Sequence, residues 1–160
     1  MFQMKNKTVL NIILLFSIFS ILTAYFIQYV LNHQPCNLCL IERIPYILAI
    51  IIIILNLFIK KFDKIILILL SIIFIAAAFI SFYHFGIEQG FISESLVCNL
   101  TSESTNLSKE DLLKQLNKEV VSCKDVSFRI LGLSLATINT IISIILAAIT
   151  IKLFLNYEKN

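Results

Sequence analysis

The residues of this chain best suited to chemistry are two cysteines separated by two residues, Cys36 and Cys39. A pair at this spacing can close a small disulfide, and a position at the start of a helix favours the thiolate. The thiolate is the form that attacks another disulfide or donates electrons. The pair lies where one long apolar run ends and the next begins, so we predict a redox-active thiol pair at a membrane surface.

Two further cysteines, Cys98 and Cys123, lie about 25 residues apart in a polar stretch. Four cysteines allow three pairings, and the residues alone do not choose among them. A bond between Cys98 and Cys123 could be a staple that closes a loop, an exchangeable redox bond, or both. Zinc usually requires two close cysteine pairs, or one pair with closely spaced histidines, so we expect no metal site.

Arg43 and His84 are the candidate residues for binding an electron acceptor. Arg43 follows Cys39 by four residues, a spacing that places both side chains on one helix face. A guanidinium there can stabilise a thiolate and hydrogen-bond a quinone carbonyl, although an interfacial arginine also commonly extends to lipid headgroups. His84, after the third apolar run, could donate to the same carbonyl, relay a proton or simply be solvated. Glu42 is interpreted as an interfacial charge or a counter-ion of Arg43, without a role in the chemistry.

The composition indicates what must hold these residues in place. Of the 160 residues, 59% are hydrophobic and 14% are charged, whereas soluble domains have about 45–50% and about 25%. The apolar residues occur in blocks, which indicates an integral membrane protein in a lipid bilayer. The net charge of +3 comes with basic residues in short clusters at the ends of these blocks, so we expect no nucleic-acid partner.

Four apolar blocks are long enough to cross a bilayer. The first is too long for the core of a signal peptide and is followed by no small-residue cleavage site. Near residue 108 a capping pattern precedes leucines at helical spacing, which is typical of a surface amphipathic helix or of a helix packed within a loop. Pro45 leaves the carbonyl of Ile41 without a helical partner and can kink the second block. We therefore predict an all-α membrane protein, a single-domain four-transmembrane-helix bundle with a short amphipathic helix in the second outward loop. The helices are expected at about 9–31, 40–59, 65–82 and 130–155, and the outward loops at about 32–39 and 83–129.

The basic residues predict the orientation of this bundle. Cytoplasmic loops carry an excess of lysine and arginine. In a four-helix topology, seven lysines fall on one side: Lys5, Lys7, Lys60, Lys61, Lys64, Lys152 and Lys159. Both termini are then cytoplasmic, and all four cysteines lie on the opposite, oxidising side.

Three motifs, in this order, resemble the bacterial disulfide-bond formation protein B (DsbB) family. They are Pro35-Cys36-Asn37-Leu38-Cys39 with Glu42-Arg43, then Tyr83-His84-Phe85-Gly86-Ile87-Glu88-Gln89-Gly90 ahead of Cys98, and finally the stretch from Cys123 to Ala136. The resemblance covers the whole chain. One departure is Phe128, where relatives often carry tryptophan.

The resemblance implies a multi-pass enzyme of the bacterial inner membrane that reoxidises a periplasmic thiol oxidase of the DsbA type. Its electron acceptor would be ubiquinone or menaquinone from the membrane pool. By analogy, Cys98 accepts the attack of the partner and Cys123 passes electrons to Cys36. Cys39 would then be the thiolate that faces the quinone, with Arg43 and His84 beside it.

Two alternatives are compatible with the residues. Proteins resembling vitamin K epoxide reductase also use a four-helix design, but they usually carry the membrane cysteine pair late in the chain. A non-enzymatic membrane protein would use its cysteines as structural disulfides or as a metal clamp.

Overall fold

The computed structural model describes residues 2–59, 63–93, 98, 122–124, 129–130 and 132–158. Its elements, in chain order, are α1 (Phe2–Tyr29), α2 (Asn37–Ile41), α3 (Arg43–Ile59), α4 (Asp63–Glu88), β1 (Arg129–Ile130), β2 (Leu133–Ser134) and α5 (Leu135–Glu158). Within these described ranges, four stretches are long and apolar enough to cross a membrane: Lys7–Tyr29, Asn37–Phe58, Lys64–Glu88 and Leu135–Tyr157. The predicted fold class, an all-α bundle of four transmembrane helices, is confirmed.

The second transmembrane segment is interrupted at Glu42, between α2 and α3. Pro45 lies in the first turn of α3 and has no N–H to donate to Ile41, so the helical ladder cannot continue unbroken through this point. The interruption divides the segment into a five-residue helix that carries the thiol pair and a longer helix that crosses the bundle. The kink expected from Pro45 thus takes the form of a break in the helix just after the cysteines.

Helix α4 continues six residues beyond the predicted end at residue 82, to Glu88. It ends in a left-handed Gly90 with φ of 76°. The backbone N–H of Gly90 donates to Ile87 O and that of Phe91 donates to Gly86 O, which is the Schellman pattern of a glycine-capped helix. Because α4 extends this far, His84 and Glu88 lie one turn apart on a regular helix.

The fourth transmembrane helix begins at Leu135 rather than at residue 130. The residues before it form a two-stranded antiparallel hairpin in which Arg129 pairs with Ser134 and Ile130 pairs with Leu133. Gly132 in the turn has φ of 84°, a conformation that glycine adopts without a steric penalty. The hairpin places Ser134 at the N-terminus of α5.

The helices pack around one elongated apolar core. The most extensive contact joins α4 to α5, and α3 packs on both α1 and α4. The fully buried members include Ala49, Leu70 and Phe74. Large apolar side chains such as Phe19, Phe58 and Phe79 are exposed on the outside of the bundle, where lipid chains rather than water would cover them.

The bundle has two chemically different ends. At the end called here the lysine end, Lys64 Nζ lies 5.9 Å from the ring centroid of Phe154, which joins the start of α4 to the last turns of α5. The opposite end, called here the cysteine end, carries all four cysteines. Lys60, Lys61, Lys159 and the predicted amphipathic helix near residues 108–120 lie outside the described residues.

Candidate active site

The thiol pair lies at the N-terminus of α2. Cys36 is the N-cap residue, and its Sγ accepts a hydrogen bond of 3.3 Å from the backbone N–H of Cys39. The two sulfur atoms are 2.8 Å apart, and both cysteines are free thiols in this structure. Cys36 is buried and Cys39 is half-buried. The short helix therefore holds both sulfurs at one point, as the spacing predicts.

Cys36 is the better thiolate of the two. The hydrogen bond from the Cys39 thiol lowers the pKa of Cys36, burial acts in the opposite direction, and the His84 imidazole lowers the pKa further, to about 5. A thiol with this pKa is almost entirely ionised at neutral pH. Cys36 is thus prepared to leave a disulfide readily as a thiolate.

His84 lies directly behind Cys36 and is almost completely buried, with 2% of its surface exposed. Its Nε2 is 3.5 Å from Cys36 Sγ, and its Nδ1 is 2.7 Å from Glu42 Oε1. Since a carboxylate oxygen can only accept, Nδ1 carries the proton of that bond and Nε2 is turned towards the sulfur. The resulting chain of contacts, Glu42 to His84 to Cys36, can orient an imidazole and move a proton to or from the thiol.

Glu42 lies at the centre of the polar contacts, although its position in the sequence suggested only an interfacial charge. Its other oxygen, Oε2, accepts a hydrogen bond of 2.8 Å from Asn139 Nδ2. The Asn139 amide also contacts Ser81 Oγ at 2.7 Å and accepts a bond of 2.5 Å from the Tyr46 hydroxyl. These contacts tie α3, α4 and α5 to one carboxylate. An ionisable residue inside a membrane segment is by itself a signal of function, and that signal was present in the sequence.

A second carboxylate, Glu88, lies on the other side of His84. Glu88 Oε1 is 3.9 Å from His84 Nε2, and Glu88 Oε2 accepts a hydrogen bond from the Ser134 hydroxyl. Ser134 in turn contacts Thr137 Oγ1 at 2.9 Å, in the first turn of α5. Glu88 therefore fastens the hairpin before α5 to the outer end of α4, close to the imidazole.

Cys98 and Cys123 form a disulfide, with their Cα atoms 5.9 Å apart. Both are buried, with exposed fractions of 1% and 2%. They belong to one apolar cluster with Cys36, Leu38 and Ile87. The structure thus brings the loop disulfide against the same cysteine that contacts His84, and the chain is seen with the loop pair oxidised and the Cys36–Cys39 pair reduced.

A cavity of about 320 Å³ opens on the other side of the thiol pair. Its walls come from α1, the connection after it, the α2–α3 break and α5, and most of the surface is apolar. Cys39 and Glu42 line this cavity, whereas neither Cys36 nor His84 is among its lining residues. His84 thus meets the cavity only through Glu42, and its predicted contact with a bound acceptor stays a prediction.

Arg43 also lines the cavity. Its Nη1 donates a hydrogen bond of 2.7 Å to Gln28 Oε1, and its Cζ is 5.2 Å from the ring centroid of Tyr25. Both contacts lie on α1. They hold the guanidinium at the cavity wall on the same side as Cys39, although the break at Glu42 means that the two residues are not on one continuous helix face.

The sulfurs of Cys36 and Cys39 and the imidazole of His84 offer three ligand atoms within 4.8 Å of one another. No sequence pattern indicates this group, because His84 lies 45 residues after Cys39. Two of these three residues are the predicted redox pair, so the group coincides with the candidate active site.

Comparison with known proteins agrees with this geometry. The family model described as disulfide bond formation protein DsbB matches residues 6–153. A curated relative, the uncharacterized protein RP370 of Rickettsia prowazekii (strain Madrid E), is 32% identical over 155 residues, which cover 95% of this chain and 90% of that protein. No solved structure matches the chain.

Proposed function

This chain belongs to the disulfide bond formation protein DsbB family, and from that premise we propose that it oxidises a periplasmic thiol oxidase of the DsbA type and passes the electrons to membrane quinone. Family membership and the four membrane segments make it a multi-pass membrane protein of disulfide-bond formation. They also disfavour the alternatives of a protein resembling vitamin K epoxide reductase and of a non-enzymatic disulfide protein. Transfer from a DsbA-type protein through a DsbB-type protein to quinone is the established route that keeps the bacterial periplasm oxidising.

One observation carries the proposal. The two cysteines of this dithiol have different surroundings, since both pack in the cluster that contains the loop disulfide but only Cys39 also lines the cavity. A pair placed in this way can receive electrons from one side and release them on the other. A structural disulfide would have no use for a cavity beside one of its sulfurs.

The cavity suits the head group of a quinone. Its volume of about 320 Å³ falls within the usual range for small-molecule sites. Arg43 and Gln28 are among its polar lining residues, and apolar side chains such as Ile138 and Ile142 help to make most of its surface apolar. A bound quinone would accept two electrons and two protons as the Cys36–Cys39 bond forms again. Arg43 would hold a carbonyl oxygen of the quinone at the cavity that Cys39 also lines.

The electrons reach Cys39 through two disulfide exchanges. In the first, the partner's dithiol reduces the Cys98–Cys123 bond, with attack at Cys98, and the partner becomes a disulfide. In the second, Cys123 attacks Cys36, which breaks the Cys36–Cys39 bond and releases Cys39, and Cys98 then displaces Cys36. The loop disulfide is restored and the two electrons remain on Cys36 and Cys39, the distribution of bonds observed here.

His84 and Glu42 handle the proton of Cys36 in this scheme. His84 Nε2 takes the proton when Cys36 must react as a thiolate, and the Glu42 carboxylate stabilises the imidazolium through Nδ1. Positioned acids and bases of this kind contribute about 10²–10⁴-fold to a rate. Because Glu42 also lines the cavity, it connects the Cys36 thiol to the place where a bound quinone would take up protons.

Energetics explain why an external acceptor is needed. A partner of the DsbA type has a potential near −120 mV, whereas ordinary structural disulfides lie below about −300 mV. Reoxidising the partner with such a disulfide would be uphill by roughly 8 kcal/mol. The proposed location follows from the same scheme: an inner membrane, with the lysine end in the cytoplasm and the cysteine end in the periplasm.

The test is quinone reduction by the purified protein with a reduced DsbA-type protein as the electron donor. We expect turnover with ubiquinone or menaquinone analogues, and its loss in Cys36→Ser and in Cys39→Ser. Gln89→Leu, an exposed change at the outer end of α4, serves as the control. Turnover that persists in both cysteine variants would disprove the proposal.

A further inference from the structure

Asn37, between the two cysteines of the thiol pair, contacts the loop disulfide. It is the first residue of α2 and is half-buried. Its side-chain Nδ2 donates a hydrogen bond of 3.2 Å to the backbone carbonyl of Cys98, 61 residues further along the chain. The bond therefore joins the helix that carries one redox pair to the backbone that carries the other.

Around this bond, the two pairs meet in an apolar cluster. Burial of apolar surface holds this cluster together, and it is favourable but not directional. The cluster consists of Cys36, Leu38, Ile87, Cys98 and Cys123. Disulfide exchange requires an attacking sulfur to approach one particular sulfur of the bond, so the relative position of the pairs matters. A hydrogen bond with restricted distance and angle supplies the position that apolar contact alone does not.

We propose that Asn37 is a positioning residue: its hydrogen bond holds Cys98, and with it the loop disulfide, against Cys36, so that the two pairs can exchange. We call this arrangement the seated position of the loop disulfide. The proposal rests on the function proposed above and assigns a role to a residue outside the thiols and the proton-transfer groups. The chemistry is that of the second exchange: a bond forms between Cys123 and Cys36 as the Cys36–Cys39 bond breaks, and Cys98 then displaces Cys36. Asn37 takes no part in bond making and acts through the carbonyl of Cys98.

Seating also conceals the loop disulfide. Since Cys98 and Cys123 are almost completely buried in the seated position, a water-soluble phosphine can reduce their bond only when it leaves that position. The rate of this reduction therefore reports seating directly, without a partner protein or a quinone. A substitution that merely altered the thiol chemistry of Cys36 would not change it.

The first experiment measures phosphine reduction of the Cys98–Cys123 bond in the full chain in detergent, followed by mass spectrometry of the labelled thiols. Asn37→Asp keeps the shape of the side chain but cannot donate a hydrogen bond when ionised, and Asn37→Leu removes the donor without adding charge. Loss of one hydrogen bond of ordinary strength should accelerate reduction about fivefold in both variants. Gln89→Leu removes an exposed amide at the outer end of α4 and should leave the rate as in the wild type.

The second experiment separates the exchange between pairs from the release of electrons. With a reduced DsbA-type donor, both Asn37 variants should reduce quinone about fivefold more slowly than the wild type. In a Cys98→Ser/Cys123→Ser background there is no loop disulfide to position. A small dithiol donor must then reduce the Cys36–Cys39 bond directly. The Asn37 substitutions should then have no further effect on the rate.

The outcomes distinguish this proposal from the one on which it rests. If phosphine reduction is unchanged in both Asn37 variants, Asn37 does not seat the disulfide and the inference is wrong. The same holds if the Asn37 variants slow the reaction equally in the background that lacks Cys98 and Cys123. If instead the wild type reduces no quinone with either donor, the proposed function fails, while the phosphine rates still report whether Asn37 seats the loop.

Discussion

At the scale of single residues, the site depends on an imidazole fixed between a carboxylate and a thiol. His84 is buried, so its ring orientation is set by the bond to Glu42 rather than by water. The thiol it faces has a pKa lowered to about 5, chiefly by the Cys39 thiol and further by His84 itself. Removing His84 should therefore affect both the ionisation of Cys36 and the rate of every step in which Cys36 reacts.

We predict that His84→Ala raises the pKa of Cys36 above about 5, because one of the groups that favour the thiolate is lost. A thiol is mostly ionised at every pH above its pKa. When the pKa of Cys36 rises, the thiolate fraction therefore falls most at low pH. Quinone reduction should fall about 10²-fold, and the loss should be larger at about pH 6 than at about pH 8. Thiolate absorbance of Cys36 and the pH profile of turnover measure the two effects.

Glu42→Gln is the companion variant, since it keeps the size of the side chain and removes its charge. A hydrogen bond to a charged group contributes about 1.5–3 kcal/mol, so we expect a loss of roughly 10–100-fold, smaller than that of His84→Ala. If the two residues act as one unit, the double variant should be no slower than His84→Ala alone. If instead the rate losses of the two single variants multiply in the double variant, Glu42 does not act through His84.

The thiols could be predicted from the sequence, and a charge inside a membrane segment was a signal of function at Glu42, but the partners of Glu42 could not be predicted. Two cysteines at a close spacing are a local signal, and Cys36 and Cys39 do lie together at a helix start. The partners of Glu42, by contrast, are His84 and Asn139, 42 and 97 residues away. No local pattern reports contacts at such separations, and for this reason the carboxylate looked like a surface charge.

At the scale of secondary-structure elements, the end of α4 determines how closely the following chain can approach the redox site. Gly86 lies in the last turns of this helix, and a Cβ added there would be 2.7 Å from Cδ1 of Ile92. Ile92 follows the glycine cap and packs against the cluster that contains the loop disulfide. The absence of a side chain at Gly86 therefore allows Ile92 to cover that cluster.

We predict that Gly86→Ala exposes the loop disulfide without much effect on global stability. The new methyl group displaces Ile92, whereas alanine in place of glycine favours the helix by about 1 kcal/mol. Thermal unfolding should therefore change little, while phosphine reduction of Cys98–Cys123 should accelerate several-fold.

Ile92→Val removes the Cδ1 atom that the methyl group meets. In the Gly86→Ala/Ile92→Val double variant, phosphine should therefore reduce the Cys98–Cys123 bond at nearly the same rate as in Ile92→Val alone. An unchanged phosphine rate in Gly86→Ala would show that Ile92 does not protect the disulfide.

The helices were easier to predict than their ends. Long apolar runs identify the membrane segments because lipid requires them. The last turns of α4 carry Tyr83, His84 and Glu88, which a hydropathy pattern assigns to a loop. His84 and Glu88 can lie in a helix here because their polar groups find partners inside the protein, and these partners come from distant parts of the chain.

At the scale of the whole molecule, the bundle places one thiol pair beside both a buried disulfide and a largely apolar cavity. The four-span fold was predictable from composition, because the number and length of apolar runs fix it. The cavity was not, since its lining residues come from α1, α5 and the α2–α3 break, which lie far apart in the sequence. Its position beside Cys39 supports the proposed transfer of electrons to quinone on this side.

Filling this cavity tests the two-sided arrangement. Ala24 on α1 lines the cavity, so Ala24→Phe should raise the KM for quinone about tenfold, in line with the cost of overfilling a packed site. Ala76→Phe, at an exposed position on α4, is the matched control and should leave the KM unchanged. Reduction of the loop disulfide by a DsbA-type donor in the absence of quinone should proceed at the wild-type rate in both variants, because that exchange takes place on the other side of the thiol pair. A wild-type KM in a folded Ala24→Phe protein would mean that electrons leave elsewhere, whereas a parallel loss of the donor reaction would mean that the two sides are not separate.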